Sequence, residues 1–228
     1  MVNPVIVALD VSGLDEALEL AGRLHEEVGG FKVGMELLMA SGPVAIASIG
    51  DLGRPVFVDA KLHDIPNTVE RAAARIRAAG ARWVTIHASG GKEMAQAAVS
   101  GMQGEGVLAV TMLTSLGEED LAGIGVNTGL TEYVTGMAGL AAAAGVEGVV
   151  CSPGEIREVK SAQPGLKVFT PGVRPEDSTR DDQKRVATPG GAVADGADYL
   201  VIGRPITRAP DPVAAAREIV ASLTATVR

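Results

Sequence analysis

Eight short apolar runs, spaced along the whole chain, constrain the fold more than any other feature of the sequence. Each run is nearly continuous in apolar and β-branched residues, the pattern of a strand buried on both faces of a parallel sheet. We predict strands at Val5–Leu9, Gly30–Gly34, Val56–Asp59, Trp83–His87, Val107–Met112, Gly148–Cys151, Lys167–Thr170 and Tyr199–Ile202.

Segments with helical periodicity separate many of these runs. The clearest are Leu14–Val28, Asn67–Ala79, Lys92–Met102, Glu132–Ala144 and Pro212–Leu223. Eight strands alternating with helices in 228 residues predict an α/β fold, a (β/α)8 TIM barrel of parallel strands, with residues 1–228 as one domain. An open doubly wound sheet is the alternative, but its glycine-rich turn is missing after the first strand, where the chain reads Asp10-Val11-Ser12-Gly13.

The charge and the cysteine content of the chain indicate which classes of partner and which cellular compartment to expect. The net charge of −8 argues against binding nucleic acid or an anionic membrane through bulk charge. The longest uncharged runs, Leu37–Gly50 and Tyr133–Val146, have 14 residues each, fewer than a membrane span needs. The single cysteine, Cys151, excludes an internal disulfide, and no secretory leader is visible, so we expect a cytoplasmic protein.

Charged residues cluster at the ends of the first three predicted strands. Active sites of such barrels lie where the strands end, so charged residues at these positions are stronger candidates for functional residues than charged residues elsewhere. Asp10 ends strand one, Lys32 lies in strand two, and Asp59 ends strand three, followed by Lys61 and Asp64. Residues i and i+2 of an extended chain point the same way, which predicts that Asp59 and Lys61 face one side. The array is either a catalytic site or a set of ion pairs that plugs the barrel mouth.

A second group of residues is typical of an anion-binding site. Gly203 and Arg204 follow strand eight, where barrels commonly hold phosphate on loop amides and a short helix N-terminus. Two long connections, Leu113–Thr131 and Pro171–Pro189, have the length of functional lids or of disordered segments. The second loop could grip an anion or be an ordinary solvated surface; its polar residues are Arg174, Arg180, Gln183, Lys184 and Arg185.

The segment Asp59–Thr68 resembles a highly specific signature. Its sequence, DAKLHDIPNT, matches the D-x-K-x-x-D-I-P-x-T pattern of the orotidine 5′-phosphate decarboxylase family. The resemblance covers the whole chain, since other elements follow in the family's order: VALD ending at Asp10, FKVG around Lys32, Thr114, TPGVR ending at Arg174, Gln183, and IGRP around Arg204.

The resemblance implies conversion of orotidine 5′-phosphate to UMP and CO2 without a metal or organic cofactor. By the same resemblance, Lys61 stabilises the developing carbanion at pyrimidine C6 and supplies the proton. Asp59 would lie near the substrate carboxylate, Lys32 would bridge Asp59 and the ribose, and Asp10 would bind the ribose.

The remaining roles also follow from the resemblance. Thr114 would meet the pyrimidine, and the phosphate side would be formed by Pro171, Arg174, Gln183, Gly203 and Arg204. Asp64, with Ile65 and Thr68, would be delivered from a partner subunit, so that a homodimer shares its active sites. For His63 and His87 we predict hydrogen bonding or packing rather than catalysis.

Two other functions remain open from sequence alone. Sugar-phosphate decarboxylases such as 3-keto-L-gulonate 6-phosphate decarboxylase share D-x-K-x-x-D but bind Mg2+ through an acidic residue on strand two, where this chain has Lys32. A non-catalytic phosphate-ester-binding barrel is the second alternative, and such a protein would tolerate the loss of Lys61 or Asp59.

Overall fold

The computed structural model describes residues 3–104, 106–174 and 187–225. Within these ranges, eight strands, all parallel, pair in sequence order, and β1 pairs with β8 to close a barrel. The strands are β1 (Val5–Ala8), β2 (Gly30–Val33), β3 (Val56–Leu62), β4 (Trp83–His87), β5 (Val107–Val110), β6 (Gly148–Val150), β7 (Lys167–Pro171) and β8 (Tyr199–Ile202). The predicted (β/α)8 barrel is therefore confirmed.

Helices connect the strands and surround the barrel. They are α1 (Leu14–Leu24), α2 (Met35–Ser41), α3 (Pro43–Gly50), α4 (Pro66–Ala78), α5 (Lys92–Gly101), α6 (Glu118–Gly123), α7 (Leu130–Ala144), α8 (Ile156–Ala162), α9 (Pro189–Ala194), α10 (Arg204–Thr207) and α11 (Pro212–Ala225). Within the described ranges, no helix is long and apolar enough to cross a membrane.

Several predicted boundaries were wrong. The connection 113–131 is not a continuous loop, because α6 lies inside it and α7 begins at Leu130, and α1 ends at Leu24 rather than Val28. The uncharged run 37–50 spans parts of α2 and α3, where its uniformly apolar character hid the helical periodicity. Within the connection 171–189, residues 175–186, and with them Arg180, Gln183, Lys184 and Arg185, lie outside the described residues.

Strand alternation divides the core into two parts and directs the site residues inward. One set of side chains faces the helices, and the other fills the barrel interior, where Phe57, Trp83 and Phe169 pack edge to face. On β3, Val56 and Val58 face the helices, whereas Phe57, Asp59 and Lys61 face inward. The inward-facing residues nearest the carboxyl ends of the strands therefore line the barrel mouth.

Candidate active site

A cavity of about 580 Å³ lies at the carboxyl ends of the strands. Most of the residues predicted for the site line it: Asp10, Lys32, Asp59, Lys61, Thr114, Pro171, Arg174, Gly203 and Arg204. Apolar side chains of the barrel interior, among them Val110, Val150 and Val201, form another part of its wall. The cavity therefore combines charged groups from several strands with an apolar wall, which is typical of a small-molecule site.

Alternating charges from the segment after β1, from β2 and from β3 form a continuous chain in this cavity. Lys32 Nζ lies 2.8 Å from Asp10 Oδ1 and 3.6 Å from Asp59 Oδ2, and Lys61 Nζ lies 2.7 Å from the same Asp59 oxygen. The side chain of Lys32 is only 9% exposed and that of Asp59 16%, whereas Asp10 is 55% exposed. The structure therefore brings these four residues together, and each of the buried charges among them has an oppositely charged partner.

Asp59 remains ionised at neutral pH. Burial on its own would raise the pKa of this carboxyl, but the ammonium groups of Lys32 and Lys61, with hydrogen bonds from Lys61 and Thr85, hold the pKa below its ordinary value of 3.8. A fixed carboxylate thus stands between two cations at the base of the cavity. Such a group repels anions and attracts cations within the cavity.

The backbone after β2 leaves space for the first ion pair. A Cβ atom at Gly34 would come within 2.8 Å of Lys32 Nζ and closer still to the Asp10 carboxylate. Glycine at this position therefore leaves room for the direct Asp10–Lys32 contact, which a larger residue would displace. The sequence FKVG places this glycine two residues after the lysine.

Cationic side chains reach the cavity from the segments that follow β7 and β8. Arg174, Arg204 and Arg208 all line it, and Arg174 is buried. Gly172, between Pro171 and Val173, has φ of 80°, a conformation that favours glycine. Three guanidinium groups at one cavity can hold a phosphate through several charge-assisted hydrogen bonds.

Asp64, Ile65 and Thr68 do not line the cavity of their own chain. All three are exposed, and Asp64 Oδ1 accepts a hydrogen bond from the backbone N–H of Ile65 at 2.6 Å. The side chain of Ile65 is a large apolar group that is 66% exposed. The structure therefore separates this part of the signature from Asp59 and Lys61, which precede it.

One buried polar residue beside the array was not predicted from the sequence. Thr85, on β4, is fully buried, and its hydroxyl contacts both Asp59 and the backbone of Lys61. The available signal was a single hydroxyl in the apolar run Trp83–His87, at an inward-facing position by alternation with Trp83.

His63 and His87 form a contact at the edge of the array. Their ring centroids lie 5.4 Å apart, and neither ring lines the cavity. Burial lowers the pKa of His87 below its ordinary value of 6.5, and the neighbouring His63 and Lys61 side chains lower it further. His87 is therefore neutral at pH 7 and adds no positive charge to the array.

A closed parallel barrel with a charged array and a cavity at the carboxyl ends of its strands defines a (β/α)8-barrel enzyme. In the part of the chain that the structure describes, no group of three or more His, Cys, Asp or Glu side chains is arranged to hold a metal ion. The array instead alternates carboxylates with ammonium groups.

Comparison with known proteins gives the family. Residues 3–219 match the family described as orotidine 5′-phosphate decarboxylase / HUMPS. Orotidine 5′-phosphate decarboxylase of Anaeromyxobacter sp. (strain K) is 50% identical over 221 residues, covering 96% of this chain and 97% of the relative. The Moorella thermoacetica enzyme of the same name is 47% identical, covering 97% and 92%.

Solved structures agree with this assignment. A crystal structure of orotidine 5′-phosphate decarboxylase from Lactobacillus acidophilus superposes with a TM-score of 0.85 at 35% identity, covering 97% of this chain and 99% of that one. The chain belongs to the orotidine 5′-phosphate decarboxylase / HUMPS family. It is an enzyme of the carboxy-lyase class, as its similar curated relatives are.

Proposed function

We propose that the protein converts orotidine 5′-phosphate to UMP and CO2 in de novo pyrimidine biosynthesis. The observation that carries the proposal is the charge chain Asp10–Lys32–Asp59–Lys61 in a cavity that also holds Arg174 and Arg204. The substrate has a carboxylate on its pyrimidine ring and a phosphate on its ribose. The cavity offers a lysine–aspartate pair for the first and guanidinium groups for the second.

The phosphate end of the substrate is assigned to the residues after β7 and β8. Arg204 and Arg174 bind phosphate oxygens through charge-assisted hydrogen bonds, and Pro171 and Gly203 shape this part of the cavity. Gln183, which lies outside the described residues, belongs to the same proposal. Binding energy from the phosphate, remote from the reacting carbon, holds the pyrimidine against the charge array.

The ribose and pyrimidine lie between the two ends. Asp10 accepts hydrogen bonds from the ribose hydroxyls, and Lys32 links those hydroxyls to Asp59. Thr114, on the connection after β5, contacts the pyrimidine. These contacts fix the ring so that its C6 atom faces Lys61.

The chemistry at C6 is assigned to Asp59 and Lys61. Asp59 lies against the substrate carboxylate, and their repulsion is relieved as the C6–carboxylate bond breaks and neutral CO2 leaves. The bonding electron pair stays on C6, where the ammonium of Lys61 stabilises it and then transfers its proton. Lys61 regains a proton from solvent before the next turnover.

Asp64, Ile65 and Thr68 are assigned to the site of a partner subunit in a homodimer. Their exposure and their absence from the cavity lining of their own chain support this assignment. The exposed isoleucine beside Asp64 is available for contact with a second protein surface. The cytoplasmic location expected from the sequence stays a prediction.

A metal-dependent sugar-phosphate decarboxylase is the competing member of the family. In that branch an acidic residue of strand two binds Mg2+, whereas here Lys32 occupies the position and is ion-paired with Asp10. The ammonium of Lys32 would repel a divalent cation at this point. The lysine therefore supports the orotidine reaction.

The test is the loss of absorbance of orotidine 5′-phosphate with purified protein, with and without EDTA. We expect decarboxylation at the same rate in both conditions, with UMP as the product. Activity that disappears with EDTA and returns with Mg2+ would favour the sister reaction. An inactive protein that still binds UMP would favour a non-catalytic barrel.

A further inference from the structure

Strand β3 contains a bulge opposite β4. Val58 pairs with Val84 and Leu62 pairs with Ile86, so β3 advances four residues while β4 advances two. Lys61 lies within this bulge and has φ of 48°, a left-handed conformation that is rare for a lysine. Such strain persists only where surrounding contacts hold the residue in place.

Thr85 lies on β4 opposite the bulge and supplies such contacts. The regular ladder is interrupted here, and the backbone N–H of Lys61 donates to Thr85 Oγ1 at 2.9 Å. A side-chain hydroxyl thus replaces the carbonyl that a regular parallel ladder would provide. Because Thr85 is fully buried and β-branched, its hydroxyl has little freedom to turn away.

The same hydroxyl also orients the catalytic carboxylate. Thr85 Oγ1 donates to Asp59 Oδ1 at 2.9 Å, while Asp59 Oδ2 accepts from Lys61 Nζ at 2.7 Å. A closed circuit results, running from the Lys61 backbone through Thr85 and Asp59 to the Lys61 ammonium. Rotation of the carboxylate or relaxation of the bulge would break at least one of its bonds.

We propose that Thr85 is a positioning residue for the decarboxylation. Its hydroxyl fixes the backbone of Lys61 and the carboxylate of Asp59 relative to each other. The ammonium of Lys61 is thereby held at the position where the carbanion forms. This inference rests on the proposed function, since it concerns the geometry of that reaction. Thr85 does not line the cavity, so it acts through Asp59 and Lys61.

The first test compares Thr85→Val with Thr85→Ser. Valine keeps the shape but removes both hydrogen bonds, so kcat is expected to fall by about tenfold to a hundredfold, as small misplacements of reacting groups do. KM and UMP affinity should change little, because the lost geometry matters only in the transition state. Serine keeps the hydroxyl and should recover most of kcat.

Thr111→Val is the matched control. Thr111 is also a buried threonine at the end of a neighbouring strand, but its hydroxyl donates to the Val150 carbonyl at 3.3 Å. Its replacement should leave kcat close to that of the wild type. The proposal is overturned if Thr85→Val keeps a wild-type kcat, if KM rises instead, or if Thr111→Val loses as much. Should Thr85→Val fail to fold, Thr85→Ala is assayed against the same criteria.

A crystal structure of Thr85→Val provides a test that needs no activity. We expect Lys61 to leave its left-handed conformation, or the Lys61 Nζ–Asp59 Oδ2 contact to lengthen beyond hydrogen-bond distance. An unchanged bulge and ion pair would overturn the positioning role. If the wild type fails to decarboxylate orotidine 5′-phosphate, the proposed function fails, and this structure still decides whether Thr85 holds the turn.

Discussion

Glu147, immediately before β6, holds together the end of the barrel opposite the cavity. Its carboxylate accepts hydrogen bonds from the Arg82 guanidinium at 2.9 and 3.0 Å, from Lys167 at 2.9 Å, from Trp83 Nε1 at 3.2 Å and from the Gly106 amide at 2.9 Å. These donors come from β4, β7 and the residues that precede β4 and β5. Replacing Glu147 with glutamine therefore tests how much a single charge stabilises the closed barrel.

The magnitude follows from the pKa of Glu147. Partial burial alone would raise it, but the hydrogen bonds from Lys167, Trp83, Gly106 and Arg82 lower it from 4.5 to about 2. At about 1.4 kcal/mol per pKa unit, this corresponds to about 3 kcal/mol. The Arg82 and Lys167 side chains remain 36% and 43% exposed, so solvent screening reduces the expected effect to about 2 kcal/mol.

The pH dependence has a definite sign. The pKa of Glu147 is lower in the folded protein than in the unfolded chain, so its stabilisation is complete above about pH 4.5 and is lost as the pH falls towards 2. Glu147→Gln should therefore lower the free energy of unfolding by about 2 kcal/mol at pH 7. By pH 3 the difference from the wild type should shrink to less than half.

The assay is urea denaturation at fixed protein concentration, followed by circular dichroism and by the fluorescence of Trp83, the chain's only tryptophan. Glu218→Gln, which alters an exposed carboxylate on α11, is the control and should change stability by less than about 0.5 kcal/mol. A Glu147→Gln protein as stable as the wild type at pH 7 would refute the reasoning. An equal loss at pH 7 and pH 3 would show that the charge is not responsible.

Two further predictions concern the substrate and the assembly. Arg204→Ala should lower kcat/KM for orotidine 5′-phosphate by about tenfold to a hundredfold, because a charge-assisted phosphate contact of about 1.5–3 kcal/mol is lost. Arg157→Ala, which removes a 76% exposed guanidinium on α8, is its control, and equal values for Arg204→Ala and the wild type would place the phosphate elsewhere. Mixing the inactive variants Lys61→Ala and Asp64→Ala should restore activity after subunit exchange, because one site of each mixed dimer then carries neither defect. A mixture that stays inactive after confirmed exchange, or an active protein that sediments as a monomer, would contradict shared sites.

The barrel and its charge array were predictable because both depend on local sequence signals. The strands are buried on both faces, so each appears as a short apolar run, and a charge at the end of such a run is conspicuous. Strand alternation was also sufficient to place Asp59 and Lys61 on one side. These signals do not require knowledge of which strands are neighbours.

Other features depend on tertiary contacts that a single sequence does not show. The role of Thr85 arises from the β3 bulge, which sets this hydroxyl opposite Lys61. The spacing of residues in the sequence does not predict that bulge. Helices α2 and α3 were missed because their nearly uniform apolar composition hides the helical period. Glu147 was missed because its partners lie 20 to 65 residues away in sequence.

Lys61 is the residue on which the proposed mechanism depends most, and Lys61→Ala tests it directly. Turnover of orotidine 5′-phosphate and calorimetric binding of UMP should be measured on the same preparation of the variant. We predict that turnover is abolished while UMP still binds, because the ammonium acts on the transition state and the proton more than on the bound nucleotide. Near-normal turnover by Lys61→Ala would contradict the account.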